Sequence, residues 1–258
     1  VPDAAAKRVV ITTNGITYHG GPVVTTGVNA YIIWYGNWSG NTATTIMPKL
    51  LTGLSGSPYY RINTTYYNGA RQIVPNLVKF GGQTTDAYSQ GSRNLSDAQI
   101  NAIVATAITH GRLPKDANGV YFVLTSADVT KSGFLTSYCG WHTHAAIAGT
   151  DVKYAFVGNP GTNGACSVQT AVSPNGNVGA DAMASIVSHE LEESATDPDL
   201  NAWYDRRGLE NADKCQWTFG STYAVANGSR ANMRLGGLNF LIQRNWVNAS
   251  GGYCALSY

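Results

Sequence analysis

His189-Glu190-x-x-Glu193 is the pattern in this chain with the clearest capacity for chemistry. It keeps the spacing of the His-Glu-x-x-His helix that binds zinc in peptidases, with the second histidine replaced by glutamate. On a helix, residues i and i+4 stand about 40° apart on one face, so His189 and Glu193 can hold one ion from the same side. Glu190 lies about 100° round from His189, within reach of an ion-bound water for which it would be the general base. The apolar stripe Met183, Val187 and Leu191 points roughly the opposite way and supplies a packing face. The plainer alternative is a solvated acidic helix end.

The surrounding charge favours an ion. Glu190, Glu192, Glu193 and Glu210 are all the glutamates of the 258 residues, and Asp181, Asp197, Asp199, Asp205 and Asp213 fall in the same stretch. No Lys or Arg lies between Lys153 and Arg206. Several of these carboxylates sit near the C-terminal end of the helix, where the macrodipole disfavours anions. A metal ion is the simplest compensation.

A catalytic zinc takes three protein ligands and a water. Two residues compete for the third place. Asp199 fits a His-Glu-x-x-His-x-x-Gly-x-x-Asp spacing, with Thr196 where a glycine would turn the chain. Glu210 follows Glu193 by seventeen residues and opens Glu210-Asn211-Ala212-Asp213, as the downstream glutamate of thermolysin-like enzymes does, with Asp213 as its outer partner. Glu210 is the preferred of the two. Calcium is a rival cofactor: Asp197, Asp199, Asn201 and Asp205 take positions 1, 3, 5 and 9 of an EF-hand-like loop, without its glycine at 6 or glutamate at 12. His142 and His144 would face the same side of a strand, and His142 could stabilise an oxyanion. Ordinary hydrogen-bonded histidines are the competing account of that pair, and His19 and His110 read as structural. No Gly-x-Ser-x-Gly elbow stands between a strand and a helix, and no phosphate-cradling loop occurs.

Composition narrows the class. Net charge is +2 and only 12% of residues are charged, with basic residues scattered, which argues against a nucleic-acid partner. No apolar run approaches a membrane span. Four cysteines without a CxxC spacing point to two disulfides in an oxidising compartment, with proximity favouring Cys139–Cys166 and Cys215–Cys254. Asn-x-Ser/Thr sequons at Asn37, Asn63, Asn94, Asn227 and Asn248 fit a secreted glycoprotein. The chain begins without a signal peptide, as a mature form would, and Lys7-Arg8 reads as part of a solvated tail.

The elements alternate. Strands are expected at Val28–Tyr35, Tyr59–Tyr67, Gly119–Thr125, His142–Ala148 and Lys153–Gly158. Helices are expected at Thr45–Leu54, at Leu95–Gly111 with Ser96 as N-cap, and at Ala180–Ala195, which Pro198 stops. Asn159–Asn177 reads as a loop. After an N-terminal tail over 1–17, residues 18–258 are expected to form one mixed-sheet α/β domain whose metal-binding helix follows the sheet, the order found in zincin-type peptidases. From about residue 216 the chain should be irregular and tied down by Cys254, with Leu235–Trp246 its one strand-like stretch.

Several segments come in an order that resembles the EXORDIUM, or phosphate-induced protein 1, family: Tyr18-His19-Gly20-Gly21-Pro22, Ile32-Ile33-Trp34-Tyr35-Gly36, Tyr121-Phe122-Val123-Leu124-Thr125, Cys139-Gly140-Trp141-His142 and Phe156-Val157-Gly158-Asn159. The resemblance implies a secreted, cell-wall or extracellular protein, linked in plants to growth signalling, and brings no established catalytic residues. The chain looks more like microbial relatives that carry His-Glu-x-x-Glu-x-x-Thr-Asp-Pro, so the plant growth role is not carried over. Two functions follow as expectations. The first is a secreted metal-dependent hydrolase, a zinc endopeptidase acting on polypeptide, with the ion on His189, Glu193 and Glu210 or Asp199. The second is an extracellular binding protein without catalysis, holding calcium and contacting cell-wall glycan or protein.

Overall fold

The computed structural model describes residues 15–258. The expected tail, with Lys7-Arg8, falls outside the described residues up to position 14. Its last part is already ordered, since Thr17–Tyr18 pairs antiparallel with Trp203–Tyr204.

Strands β1 (Val28–Tyr35), β2 (Val78–Asp86), β3 (Gly119–Thr125), β4 (Gly140–Ile147) and β5 (Thr150–Gly158) form one sheet in the order β2-β1-β3-β5-β4. β2, β1, β3 and β5 run parallel, while β4 lies antiparallel to β5 at an edge. The runs VNAYIIWY and GVYFVLT are nearly continuous in apolar residues because β1 and β3 are central strands covered on both faces. β4 turns directly into β5 through Ala148-Gly149, both with positive φ, the geometry of a tight two-residue hairpin.

Helix α1 (Ala43–Leu54) packs on β2 and against α3 (Val178–Thr196), and α2 (Asp97–Thr109) packs on β3. α2 opens with a full capping box: Ser96 Oγ accepts from Gln99 N–H and the Gln99 side chain reaches back to Ser96 N–H. α3 lies on β4 and β5, and at Gly140 it comes close. A Cβ there would stand 2.6 Å from Ile186 Cγ2 and 2.9 Å from Glu190 Oε1. Every α3 residue from Gly179 to Thr196 except Ala182 is buried. A helix buried all round is normally apolar all round. This one carries Ser188, His189, Glu190, Glu192, Glu193, Ser194 and Thr196 into the interior, so its polar groups must be satisfied inside the protein.

Two expected elements differ, and one strand is additional. Tyr59–Tyr67 alternates in sequence, but Tyr60–Thr65 is a 3-10 helix opened by Ser57 Oγ, which accepts the Tyr60 N–H at 3.0 Å. Leu235–Trp246 is not one strand: Met233–Leu235 and Leu238–Phe240 form a hairpin about Gly236-Gly237, and Asn245–Val247 pairs separately with Tyr253–Ala255. β2 was absent from the sequence expectation because VKFGGQTTD is largely polar, and the Gly81-Gly82 pair makes a register shift against β1. The C-terminal part contains only two-stranded pairings and short turns, as expected. Cys139–Cys166 and Cys215–Cys254 are both bonded. Closing loops of 27 and 39 residues restricts the unfolded chain by about 3.5–4 kcal/mol each in the chain-entropy picture.

Candidate metal centre

Three separate segments meet beside the middle of α3. The helix supplies His189 and Glu193, whose side chains meet at 3.0 Å between Nε2 and Oε1. β4 supplies His142, with Nε2 3.7 Å from Glu193 Oε2. The segment after α3 supplies Glu210, whose two oxygens lie 3.1 and 3.2 Å from His142 Nε2, and Asp213, whose Oδ1 is 3.5 Å from His189 Nε2. All five residues are at most 3% exposed. Two ligands on a tetrahedral zinc with bonds near 2.1 Å stand roughly 3.4 Å apart. The nitrogen–oxygen separations bracket that value, and the mixed imidazole and carboxylate donors suit a divalent transition metal.

Local structure fixes this segment. The carboxylate of Asp205 accepts from Arg207 N–H at 2.7 Å and Leu209 N–H at 3.1 Å, and pairs with Lys214 Nζ at 3.2 Å, closing a turn that aims residues 210–213 inward. Asp213 N–H donates to Glu193 Oε1 at 3.1 Å, and Cys215 then ties the short helix Asp213–Cys215 to Cys254. Asp197 caps the end of α3, its Oδ1 accepting the Asn201 and Ala202 N–H groups at 2.6 Å. The glycine-containing Tyr18–Pro22 segment braces this turn: His19 N–H donates to Ala202 O, Gly21 N–H to Asn201 O, and a Cβ on Gly21 would strike Asn201.

The electrostatics are those of an anionic nest. Among the described residues, the ion pairs of Glu193, Glu210 and Asp213 are all with His142 and His189. Burial, then the charges of Glu193, Asp197 and Asp213, push the Glu210 carboxyl well above its ordinary range. Burial opposes a charged His189, but the carboxylates of Glu193 and Asp213 prevail and hold its imidazole well above its ordinary value. His142 goes the other way, because burial outweighs the nearby carboxylates. Both shifts favour the protonated forms of His189 and Glu210, and a bound cation would compete with those protons.

The other expected residues fall as follows. Glu190 is buried against Gly140. Asp199 stands apart from His189, in a half-buried cluster with His144 and Asp151 in which Lys153 Nζ, 3.1 Å from Asp199 and 2.7 Å from Asp151, supplies positive charge. His142 faces the carboxylates of Glu193 and Glu210 with its Nε2. Asp213 reaches His189 directly instead of standing behind Glu210. Glu192 belongs to none of this: it accepts from the Asn63 and Asn245 side-chain amides in the core. That contact buries the sequon at Asn63, which is therefore a packing residue, while Asn37, Asn94 and Asn227 are exposed. The Asp197, Asp199, Asn201 and Asp205 run is drawn into turn capping and ion pairs with lysine. A groove of about 580 Å³ runs along β4, lined by Lys131, Trp141, His142, Thr143, Tyr154 and Leu200; Trp141 and Thr143 point to the sheet face opposite the His142 side chain.

A family model described as the phosphate-induced protein 1 conserved region matches residues 16–232. The chain belongs to the phosphate-induced protein 1 family. It is 30% identical to Protein EXORDIUM-like 3 of Arabidopsis thaliana over 80% of this chain and 70% of that protein. With EXORDIUM-like 5 of the same plant it shares 30% identity over 90% of this chain and 75% of the relative. Protein PHOSPHATE-INDUCED 1 of Nicotiana tabacum is 26% identical over 78% and 71%. No solved structure matches it significantly. Within the matched range, Ile32–Gly36, Tyr121–Thr125 and Phe156–Asn159 lie on or at the ends of central strands, Cys139–His142 enters β4, and Tyr18–Pro22 braces the end of α3. Among the described residues no helix is long and apolar enough to cross a membrane.

Proposed function

We propose that this protein is a secreted metal-dependent hydrolase, most consistent with a zinc endopeptidase built on the His189-Glu190-x-x-Glu193 helix. The observation that carries this is the convergence of two imidazoles and three carboxylates from α3, β4 and residues 210–213, at the mutual distances of metal ligands. A zinc ion held there would supply a Lewis acid for the scissile carbonyl and a water of lowered pKa. His189 and Glu193 would be joined by Asp213 or Glu210 as ligands, and Glu190, next in sequence on the same helix, would take and return the proton. β4 is an edge strand, so an extended polypeptide could add to it through main-chain hydrogen bonds. Secretion is supported by the two disulfides and the exposed sequons.

The near-complete burial of all five donors favours a second account, in which a closed ion ties α3, β4 and the C-terminal part together in a non-catalytic extracellular protein that binds cell-wall glycan or protein. Calcium in the Asp197–Asp205 run has weaker support, because Asp197 and Asp205 already accept backbone N–H groups and Asp199 pairs with Lys153.

Elemental analysis of the purified protein, with a peptide-library cleavage assay on the same sample, tests the proposal. Stoichiometric zinc with cleavage supports the hydrolase. Zinc without cleavage supports the closed site, calcium alone supports the binding protein, and no metal after mild purification removes both metal accounts.

A further inference from the structure

Building on the metal reading of this site, we infer that the nest holds a pair of divalent transition-metal ions bridged by Glu193, and that His142 and Glu210 form the second ion's site. The five donors fall into two triads, His189–Glu193–Asp213 and His142–Glu193–Glu210, each with its donor atoms within 4.8 Å of one another. Glu193 alone is common to both. Its two oxygens address different imidazoles, Oε1 at 3.0 Å from His189 and Oε2 at 3.7 Å from His142. A carboxylate placed in this way is a bridge, and ions so bridged in two-metal sites stand about 3.5–4 Å apart.

Each triad has its own mark of a ligand. In the first, Asp213 Oδ1 is buried without a hydrogen-bond partner and aims at the His189 side of the nest, 3.5 Å from Nε2. In the second, Glu210 presents both oxygens at nearly equal distance, 3.1 and 3.2 Å, to the same face of His142. Carboxylate-rich sets completed by histidine, set in the interior on packed helices, are the donor sets of dinuclear iron and manganese centres, and zinc accepts the same ligands. The two histidines come from α3 and β4, which pack directly on each other.

The test loads metal-free wild-type protein, disulfides intact, with Zn²⁺, removes excess by dialysis, and measures zinc per chain. Two equivalents are expected, falling to one in Glu210→Gln and in His142→Ala. One equivalent in wild type overturns the pair and leaves the single-ion proposal standing, whereas none overturns both. A second equivalent that survives in both variants sits elsewhere on the protein and also overturns the pair. Should either variant fail to fold, by circular dichroism, the wild-type count and the other variant decide.

Discussion

His142 and Glu210 are 68 residues apart in sequence, yet His142 Nε2 stands 3.1 Å from Glu210 Oε2 in the protein interior. One belongs to the edge strand of the sheet and the other to an irregular segment after α3, and their meeting encloses the nest that His189 and Glu193 begin. The predictions below follow from what that enclosure requires.

Chelation should destabilise the protein. An ion at about 100 times its dissociation constant adds roughly 2.7 kcal/mol by mass action. For a domain of this size, EDTA should therefore lower Tm by roughly 5–10 °C, and restoring zinc should reverse the shift. His189→Ala should lose most of that increment. If the increment survives in His189→Ala, the ion is held elsewhere, as a calcium on Asp197, Asn201 and Asp205 would be.

The Cys215–Cys254 bond should matter to the site as well as to stability. Cys215 ends the short helix that begins with Asp213, so losing the bond frees a metal-facing carboxylate. Replacing both cysteines by serine should cost about 4 kcal/mol of stability. It should also weaken zinc retention on dialysis. Unchanged retention would show that the Asp205 turn alone positions Asp213.

Glu192 should behave as a neutral core residue. Burial pushes its carboxyl well above the ordinary range, so it keeps its proton while accepting from Asn63 and Asn245. Glu192→Gln preserves an acceptor and a donor, and should move Tm by no more than a degree or two. Glu192→Ala leaves two buried amides unsatisfied and should cost about 3 kcal/mol or more. Equal Tm losses in the two variants would show that the charged form is needed.

Glycan mapping of protein expressed in a secretory host should find Asn63 bare. Its side chain is fully buried and engaged with Glu192, whereas Asn37, Asn94 and Asn227 are exposed. Occupancy at Asn63 in folded protein would contradict the packing described for Glu192.

Local spacing made half of the centre legible in the sequence. His189 and Glu193 are four residues apart on a helix whose start, stop and apolar stripe are all local signals, and Ser96 as N-cap announces α2 in the same way. His142 was noticed because a strand period of two paired it with His144, but the same pattern could not say that the two would part company, one into the nest and one toward Asp151. Glu210 is named from its spacing to Glu193 and Asp213 only as its outer partner; both come in by a turn built on Asp205 that no periodicity encodes. Asp199 had a motif-like spacing and lost its place to geometry, because the chain leaves α3 through Asp197 and carries Asp199 toward Lys153. β2 was hidden for a different reason: as an edge strand it alternates exposed polar residues and bends at paired glycines, so its apolar content is too low to stand out. The Gly236-Gly237 dipeptide was a legible turn signal within Leu235–Trp246.

The most direct test of the hydrolase is casein or peptide-library hydrolysis by zinc-loaded wild type and Glu190→Gln, with bound zinc measured in both. Glu190 is outside the two ligand triads, so the variant should keep its zinc and its fold and lose hydrolysis by a factor on the order of 10² or more. A zinc-loaded wild type that cleaves nothing, or a Glu190→Gln variant that turns over at the wild-type rate, would contradict the assignment.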